Sequence, residues 1–94
     1  MKYEIYNDNC LNALKDKMLS KVDLTFLDPP FNQQKDYAFH NDNMEEKEYW
    51  DMMADVCHSA YDLTNKGGAI YFMQREKNTE FVLTCLRKAG WTSL

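Results

Sequence analysis

Residues 22–30 read Val-Asp-Leu-Thr-Phe-Leu-Asp-Pro-Pro, and this stretch decides the fold. Its first six residues are mostly apolar or β-branched, which predicts a strand over 22–27. Two consecutive prolines cannot continue the ladder of a central strand, so the chain must leave the sheet at Asp28. Residues 31–43 are polar and aromatic without a clear period, and they predict a long loop of the kind that is often functional.

Upstream of this stretch, the pattern indicates a strand and then a helix. Residues 3–6 form a short aromatic and β-branched run, which predicts a first strand. Leu11, Leu14 and Met18 then recur at helical spacing, with Asp8 or Asn9 as the predicted N-cap.

Downstream, helices and strands continue to alternate. Asn43 and Glu46 have the spacing of a capping box, and an amphipathic helix is predicted from there until Gly67-Gly68. Residues 69–73 predict a buried strand, residues 79–89 a helix closed by Gly90, and residues 91–94 the start of a further strand. The order β-α-β-loop-α-β-α-β indicates an α/β fold with an open parallel sheet.

Composition narrows the function classes. The net charge is -4 and the pI is about 5, which is the wrong sign for a free-standing nucleic-acid binder. No apolar run approaches the roughly 20 residues that span a bilayer, and no signal peptide is evident, so a cytoplasmic location is expected.

The three cysteines are predicted to be reduced core residues. Neither histidine has metal-ligand spacing, so no metal site is expected.

The segment Asp28-Pro29-Pro30-Phe31 can be given a chemical interpretation. In an open α/β sheet, ligands bind at the carboxyl ends of the strands, where this segment is predicted to lie. A carboxylate and a backbone carbonyl, held at fixed angles by the rigid prolines, could accept both hydrogens of an exocyclic amino group. Phe31 offers a flat face for stacking a flipped base. The alternative is that Asp-Pro-Pro only terminates a strand.

Residues 27–32, preceded by 22–25, closely resemble the catalytic motif of DNA methyltransferases that act on exocyclic amino groups. The resemblance continues through residues 35–37, 42–44, 61–64 and 67–72, which look like the following segments of bacterial adenine-N6 methyltransferases. Upstream, residues 7–11 resemble a turn of the same family, with Asn7 in place of the usual glycine. Essentially the whole chain is covered.

The resemblance implies roles for several residues. Asp28 and the Pro29 carbonyl would hold the target amino group, Pro30 would shape the turn, and Phe31 would stack on the flipped base. Asp8 and Asp28 would lie near the cofactor S-adenosylmethionine. The implied fold is a partial Rossmann-like methyltransferase sheet, and an aspartate at position 28 favours adenine over cytosine. Further candidate contacts to substrate are Asn32, Tyr37 and His40.

Two parts of such an enzyme have no counterpart in the sequence. The chain has three glycines but no Gly-x-Gly cofactor loop, and it has no basic recognition segment. Residues 1–94 are therefore expected to be the N-terminal, catalytic-motif part of an enzyme that binds double-stranded DNA, truncated and inactive alone. The alternatives are a non-catalytic remnant that forms a homodimer through an uncovered edge or helix surface, and a cytosine-N4 methyltransferase.

Overall fold

A computed structural model describes residues 5–15, 21–31, 36–37, 40–41 and 45–92. The helices in these ranges are α1 (Cys10–Lys15), α2 (Glu46–Leu63) and α3 (Thr79–Ala89), with a short 3-10 helix at Glu76–Asn78. The strands are β1 (Val22–Leu27), β2 (Asp36–Tyr37), β3 (His40–Asn41) and β4 (Thr64–Phe72).

The strand predicted over 22–27 is confirmed, and it pairs in parallel with β4. Because α2 lies between the two strands in sequence, β1, α2 and β4 form a β-α-β unit, which confirms the α/β class with a partial parallel sheet. Within the predicted loop 31–43, β2 and β3 form a short antiparallel pair, with Tyr37 opposite His40. The loop therefore contains a small hairpin.

The prediction that Gly67-Gly68 ends the long helix is wrong. Helix α2 ends at Leu63, and both glycines lie inside β4, where the register with β1 shifts between Val22 and Leu24. Gly67 has a φ of 86°, and a Cβ on Gly68 would come within 2.9 Å of the Asp23 carbonyl oxygen. The glycines therefore permit a bulge pressed against the neighbouring strand, rather than a loop.

The predicted capping box of α2 is also wrong. The N-cap of this helix is Glu45, without a side-chain cap bond, and Asn43 lies outside the described residues. The N-cap predicted for α1 is confirmed for Asn9, whose Oδ1 accepts the Leu11 N–H at 2.9 Å. Met18 lies outside the described residues.

Near both chain ends, the predicted strands are not found in the described residues. Ile5 and Tyr6 are irregular, while residues 3 and 4 are outside the described ranges. Trp91 and Thr92 are irregular too, and residues 93–94 are not described. Trp91 instead donates its indole N–H to the Cys57 carbonyl at 3.1 Å, so it packs back onto α2.

The core lies where α2 packs against α1, α3 and the inner face of the sheet. Its buried members are Tyr49, Met53, Val56, Cys57, Cys85 and Ala89. Leu27 and Phe72, from the adjacent ends of β1 and β4, pack against this cluster. Cys57 and Cys85 are buried as predicted, whereas Cys10 is exposed because it begins the short helix α1 at the surface.

The outer face of the β1–β4 pair is exposed. It carries four large apolar side chains: Leu24, Phe26, Tyr71 and Met73. Phe26 lies opposite Tyr71, with their ring centroids 6.4 Å apart. Among the described residues, no helix has the length and apolar character needed to cross a membrane.

Candidate active site

The turn Asp28–Phe31 begins directly after β1, at the edge of the sheet where β4 also ends. The last backbone bond that joins the two chain segments runs from the Met73 N–H to the Leu27 carbonyl, at 2.8 Å. Beyond it, Pro29 and Pro30 have no N–H to donate, so the chain separates from the sheet. Residues 28–31 line a surface depression of about 370 Å³. The predicted position of the motif at a strand end is thus confirmed.

Within the turn, the acceptor groups differ in their surroundings. The Asp28 side chain is exposed, and no described residue donates a hydrogen bond to it or pairs with it. The Pro30 carbonyl accepts the hydroxyl hydrogen of Tyr49. No described residue donates to the Pro29 carbonyl. Asp28 and Pro29 therefore retain acceptors that can meet an external donor, whereas the Pro30 carbonyl is already engaged.

Tyr49 contacts the turn and Gln74 contacts Tyr49, both through part-buried hydrogen bonds, and the sequence patterns did not single out either residue for the site. Tyr49 lies in the first turn of α2 and is 1% exposed. Its hydroxyl oxygen accepts a hydrogen bond from Gln74 Nε2 at 2.9 Å. In the sequence, Tyr49 fits the apolar face of a helix. The one available signal was its hydroxyl, which needs a partner when buried.

Asp8 lines a second pocket of about 310 Å³, between α1, β1 and α2. This pocket is mainly apolar; its other lining residues are Tyr6, Cys10, Ala13, Leu14, Thr25, Leu27, Val56 and Ala60. Asp8 Oδ1 accepts the Asn9 N–H at 2.7 Å and Asn12 Nδ2 at 3.2 Å. Leu27, which directly precedes the other predicted cofactor residue, Asp28, lines this pocket together with Asp8.

The other candidate contacts are described only in part. Asn32 lies outside the described residues. Tyr37 and His40 face each other across the β2–β3 pair as backbone positions, so the structure brings these two together. Their roles towards substrate stay predictions. Across the described ranges, no group of three His, Cys, Asp or Glu side chains is arranged to hold a metal ion.

Comparison with known families identifies the fold around this turn. The family model for N6/N4 DNA methylases matches residues 22–94, which include β1, the Asp28–Phe31 turn, α2, β4 and α3. The chain belongs to the N6/N4 DNA methylase family. The resemblance noted from the motif is thereby confirmed at the level of the family.

Two curated relatives of this methylase chain align over nearly its whole length. The Type II methyltransferase M.HpaI of Haemophilus parainfluenzae is 26% identical over 88 residues, which are 94% of this chain and 28% of the relative. The ribosomal RNA large subunit methyltransferase K/L of Colwellia psychrerythraea is 30% identical over 93 residues, which are 98% of this chain and 12% of the relative. The methylase chain therefore spans less than a third of either protein. No solved structure matches it significantly.

Proposed function

We propose that this chain is the target-amino-group part of an S-adenosylmethionine-dependent DNA methyltransferase that methylates N6 of adenine. One observation carries the proposal: the Asp28 carboxylate is exposed at the carboxyl end of β1, and no described residue donates to it or to the adjacent Pro29 carbonyl. The membership of the chain in the N6/N4 family supports it. Double-stranded DNA in the cytoplasm is the proposed substrate of the full-length enzyme.

The chemistry follows from the two acceptors. An exocyclic amino group is a poor nucleophile because its lone pair is delocalised into the ring. If Asp28 accepts one N–H and the Pro29 carbonyl accepts the other, the nitrogen is held in a more pyramidal form, and its lone pair becomes available. The two acceptors keep a fixed relative orientation because both prolines restrict the backbone. Positioning of this kind is a recognised source of rate enhancement.

Phe31 is proposed to stack on the target base. It is half-buried and lines the same depression as Asp28, so part of its surface stays accessible. Stacking of a base on an aromatic ring contributes about 1–3 kcal/mol. A base must leave the duplex to reach such a site, so Phe31 would offset part of the unstacking cost. The aspartate at position 28 favours adenine, and cytosine-N4 methylation is the alternative within the family.

The cofactor site is only partly matched by the described residues. The second pocket, lined by Asp8 and Leu27 among mainly apolar residues, suits the flat adenine ring of the cofactor with a carboxylate beside it. The chain has no Gly-x-Gly segment to surround the methionine part. S-adenosylmethionine would supply the methyl group, and Asp8 and Asp28 are proposed to lie beside it. The described residues are thus proposed to form a more complete site for the target amino group than for the cofactor.

The first prediction concerns Asp28. In the full-length protein, Asp28→Ala is expected to lower N6-methyladenine at least about 100-fold, because an acceptor for the reacting amino group is removed. Mass spectrometry of DNA nucleosides after expression measures this. Asp62→Asn, an exposed change at the end of α2, is the matched control and should leave methylation intact. If Asp28→Ala leaves the amount of methyladenine unchanged, this residue has no part in the mechanism. If the wild-type protein produces N4-methylcytosine in place of N6-methyladenine, the target base is cytosine.

A second candidate function rests on the Colwellia psychrerythraea relative, which is named as a ribosomal RNA methyltransferase. It favours RNA as an alternative methyl acceptor for the same turn. Nucleosides from total RNA, analysed in the same expression experiment, distinguish the two. The Haemophilus parainfluenzae relative is named as a Type II methyltransferase, and the matching family is described as DNA methylase, which together support DNA as the acceptor; a role in restriction-modification is part of the proposal. For the isolated 94 residues, incubation with labelled S-adenosylmethionine and DNA should give no incorporation.

A further inference from the structure

A chain of hydrogen bonds connects the end of β4 to the turn that carries Asp28. Gln74 follows β4 by two residues, and its Oε1 accepts the Arg75 N–H at 3.0 Å and Asn78 Nδ2 at 3.3 Å. Gln74 Nε2 donates to the Tyr49 hydroxyl at 2.9 Å, and that hydroxyl donates to the Pro30 carbonyl. Three separate elements, β4, α2 and the turn after β1, are therefore joined through side chains.

The direction of each bond in this chain is determined by its two ends. The Arg75 N–H can only donate, so the Gln74 oxygen must face it and the Gln74 amide nitrogen must face Tyr49. The Pro30 carbonyl can only accept, so the single hydroxyl hydrogen of Tyr49 must be directed to it. With these assignments, the hydrogen bonds all run in one direction, from the Arg75 N–H towards the Pro30 carbonyl.

Burial makes this connection stiff. Tyr49 is 1% exposed, and its ring packs edge-on against Trp50 at a centroid distance of 5.1 Å and an interplanar angle of 86°. Gln74 and Asn78 are half-buried. The two bonds of the Tyr49 hydroxyl are part-buried, so water competes less well for them, and leaving this buried hydroxyl unpaired is costly. The Pro30 carbonyl is thus held at a defined position relative to α2 and the end of β4.

We infer that Tyr49 and Gln74 are positioning residues for the Asp28–Phe31 turn. Tyr49 occupies one of the two acceptor positions of the Pro30 carbonyl, whereas no described residue donates to the Pro29 carbonyl, so Pro29 has the more accessible main-chain oxygen for a target amino group. Gln74 orients the Tyr49 hydroxyl. The role in catalysis rests on the proposed function, whereas the role in ordering the turn stands on the hydrogen bonds alone.

The second prediction tests the ordering by NMR on the 94-residue chain. The Pro30 carbonyl carbon is observed through the Phe31 amide, and backbone order parameters are measured for Asp28 and Phe31. In Tyr49→Phe, the Pro30 resonance should move upfield and the order parameters should fall from about 0.85 towards 0.6. Tyr61→Phe, which changes a tyrosine 43% exposed in the same helix, is the matched control and should leave both unchanged.

A second variant keeps the test decisive where Tyr49→Phe does not fold. In Gln74→Met, the new side chain is similar to glutamine in size and shape but cannot form these hydrogen bonds. The Pro30 resonance and the two order parameters should change in the same direction as in Tyr49→Phe, but by less. Wild-type values for the Pro30 resonance and for both order parameters in either folded variant would overturn the inference.

The catalytic part is tested separately in the full-length protein. Tyr49→Phe should lower kcat roughly 10- to 100-fold while KM for S-adenosylmethionine stays the same, because the reacting group is misplaced and cofactor binding is not. An unchanged kcat, or a loss confined to KM, would overturn the catalytic role. A wild-type protein without methylation overturns the proposed function instead, and the NMR result then still decides whether Tyr49 orders the turn.

Discussion

Asp8 and Asp28 are assigned to the same cofactor region by resemblance, yet their surroundings differ. Asp8 accepts two hydrogen bonds from residues 9 and 12 and thereby helps to start α1, whereas Asp28 has no described donor. A carboxylate without internal partners is available to a ligand, and one that accepts local bonds is partly committed to structure. At the scale of single residues, this difference makes Asp28 the better candidate for chemistry.

The residues of the turn could be predicted from the sequence, but the groups that hold it could not. The Asp-Pro-Pro-Phe string is local, and its exit from the strand follows from the proline backbone. The bonds from Tyr49 to Pro30 and from Gln74 to Tyr49 join residues 19 and 25 positions apart. Such partners depend on how α2 and β4 pack, which no local pattern specifies.

A third prediction concerns Cys57, which is fully buried. Burial, with a smaller contribution from Cys85, raises the pKa of its thiol from 9.0 to about 12. Between about pH 9 and pH 12, the thiol is therefore neutral in the folded state but ionised in the unfolded chain. The stability that comes from this difference is complete below pH 9 and is lost as the pH rises towards 12. The decline is on the order of 1 kcal/mol per pH unit.

Urea denaturation of wild type and Cys57→Ala at pH 8, 10 and 11 measures this effect. The difference in the free energy of unfolding between the two proteins should narrow above pH 9, because only the wild type carries the titrating thiol. Other alkaline titrations cancel in the comparison. A difference that stays constant from pH 8 to pH 11 would contradict a buried, neutral Cys57.

The end of α3 shows how one residue can terminate an element. Gly90 has φ 112° and ψ -2°, its N–H bonds to the Arg87 carbonyl, and the Trp91 N–H bonds to the Leu86 carbonyl at 3.0 Å. These two bonds are those of a Schellman motif, and they satisfy carbonyls that the helix leaves open. The sequence predicted this helix end correctly, because the end depends on the backbone conformation of a single residue, Gly90.

A fourth prediction follows at this element. Gly90→Ala should destabilise the chain by about 1–2 kcal/mol, since the positive φ is unfavourable for an L side chain. The new Cβ would also come within 2.9 Å of the Tyr61 ring, which must shift. Thermal or urea denaturation measures the change. Lys88→Ala, an exposed substitution in the last turn of α3, should stay within about 0.5 kcal/mol. Equal effects of the two changes would show that the cap contributes nothing.

The start of β4 was not predictable in the same way. Gly67-Gly68 is typical of a loop, and only the neighbouring β1 makes those residues part of a strand. Pairing between segments about 40 residues apart is a tertiary effect that outweighs local preference. The alternation of elements therefore predicted the fold class, while the boundaries of α2 and β4 required the structure.

At the scale of the whole molecule, the sheet has two unlike faces. Leu27 and Phe72 face the helices and pack against the core, whereas Phe26 and Tyr71 point outward and are 64% and 59% exposed. Parallel sheets are normally covered on both faces. The outward face therefore leaves a contiguous apolar surface on the described part of the chain. The homodimer expected from the sequence stays a prediction.

The fifth prediction compares two phenylalanines on opposite faces. Phe26→Thr should change the free energy of unfolding by less than about 0.5 kcal/mol, because the ring is mostly exposed. Phe72→Thr should cost about 2–3 kcal/mol, since its ring contacts the core. Phe26→Thr should also lower the fluorescence of a bound hydrophobic dye. Comparable destabilisation by both variants would mean that the outer face is covered in solution.

The bulge at residues 65–68 has a consequence for how the chain can vary in length. Between the first two paired positions, four residues of β4 (65–68) lie opposite one residue of β1, so the extra residues are accommodated before Ala69. An insertion there would lengthen the bulge and leave Phe72 and Gln74 in place. An insertion after Ala69 would exchange the two faces of the strand and carry Gln74 away from Tyr49. The bulge thus allows the chain to change in length before Ala69 without moving the site.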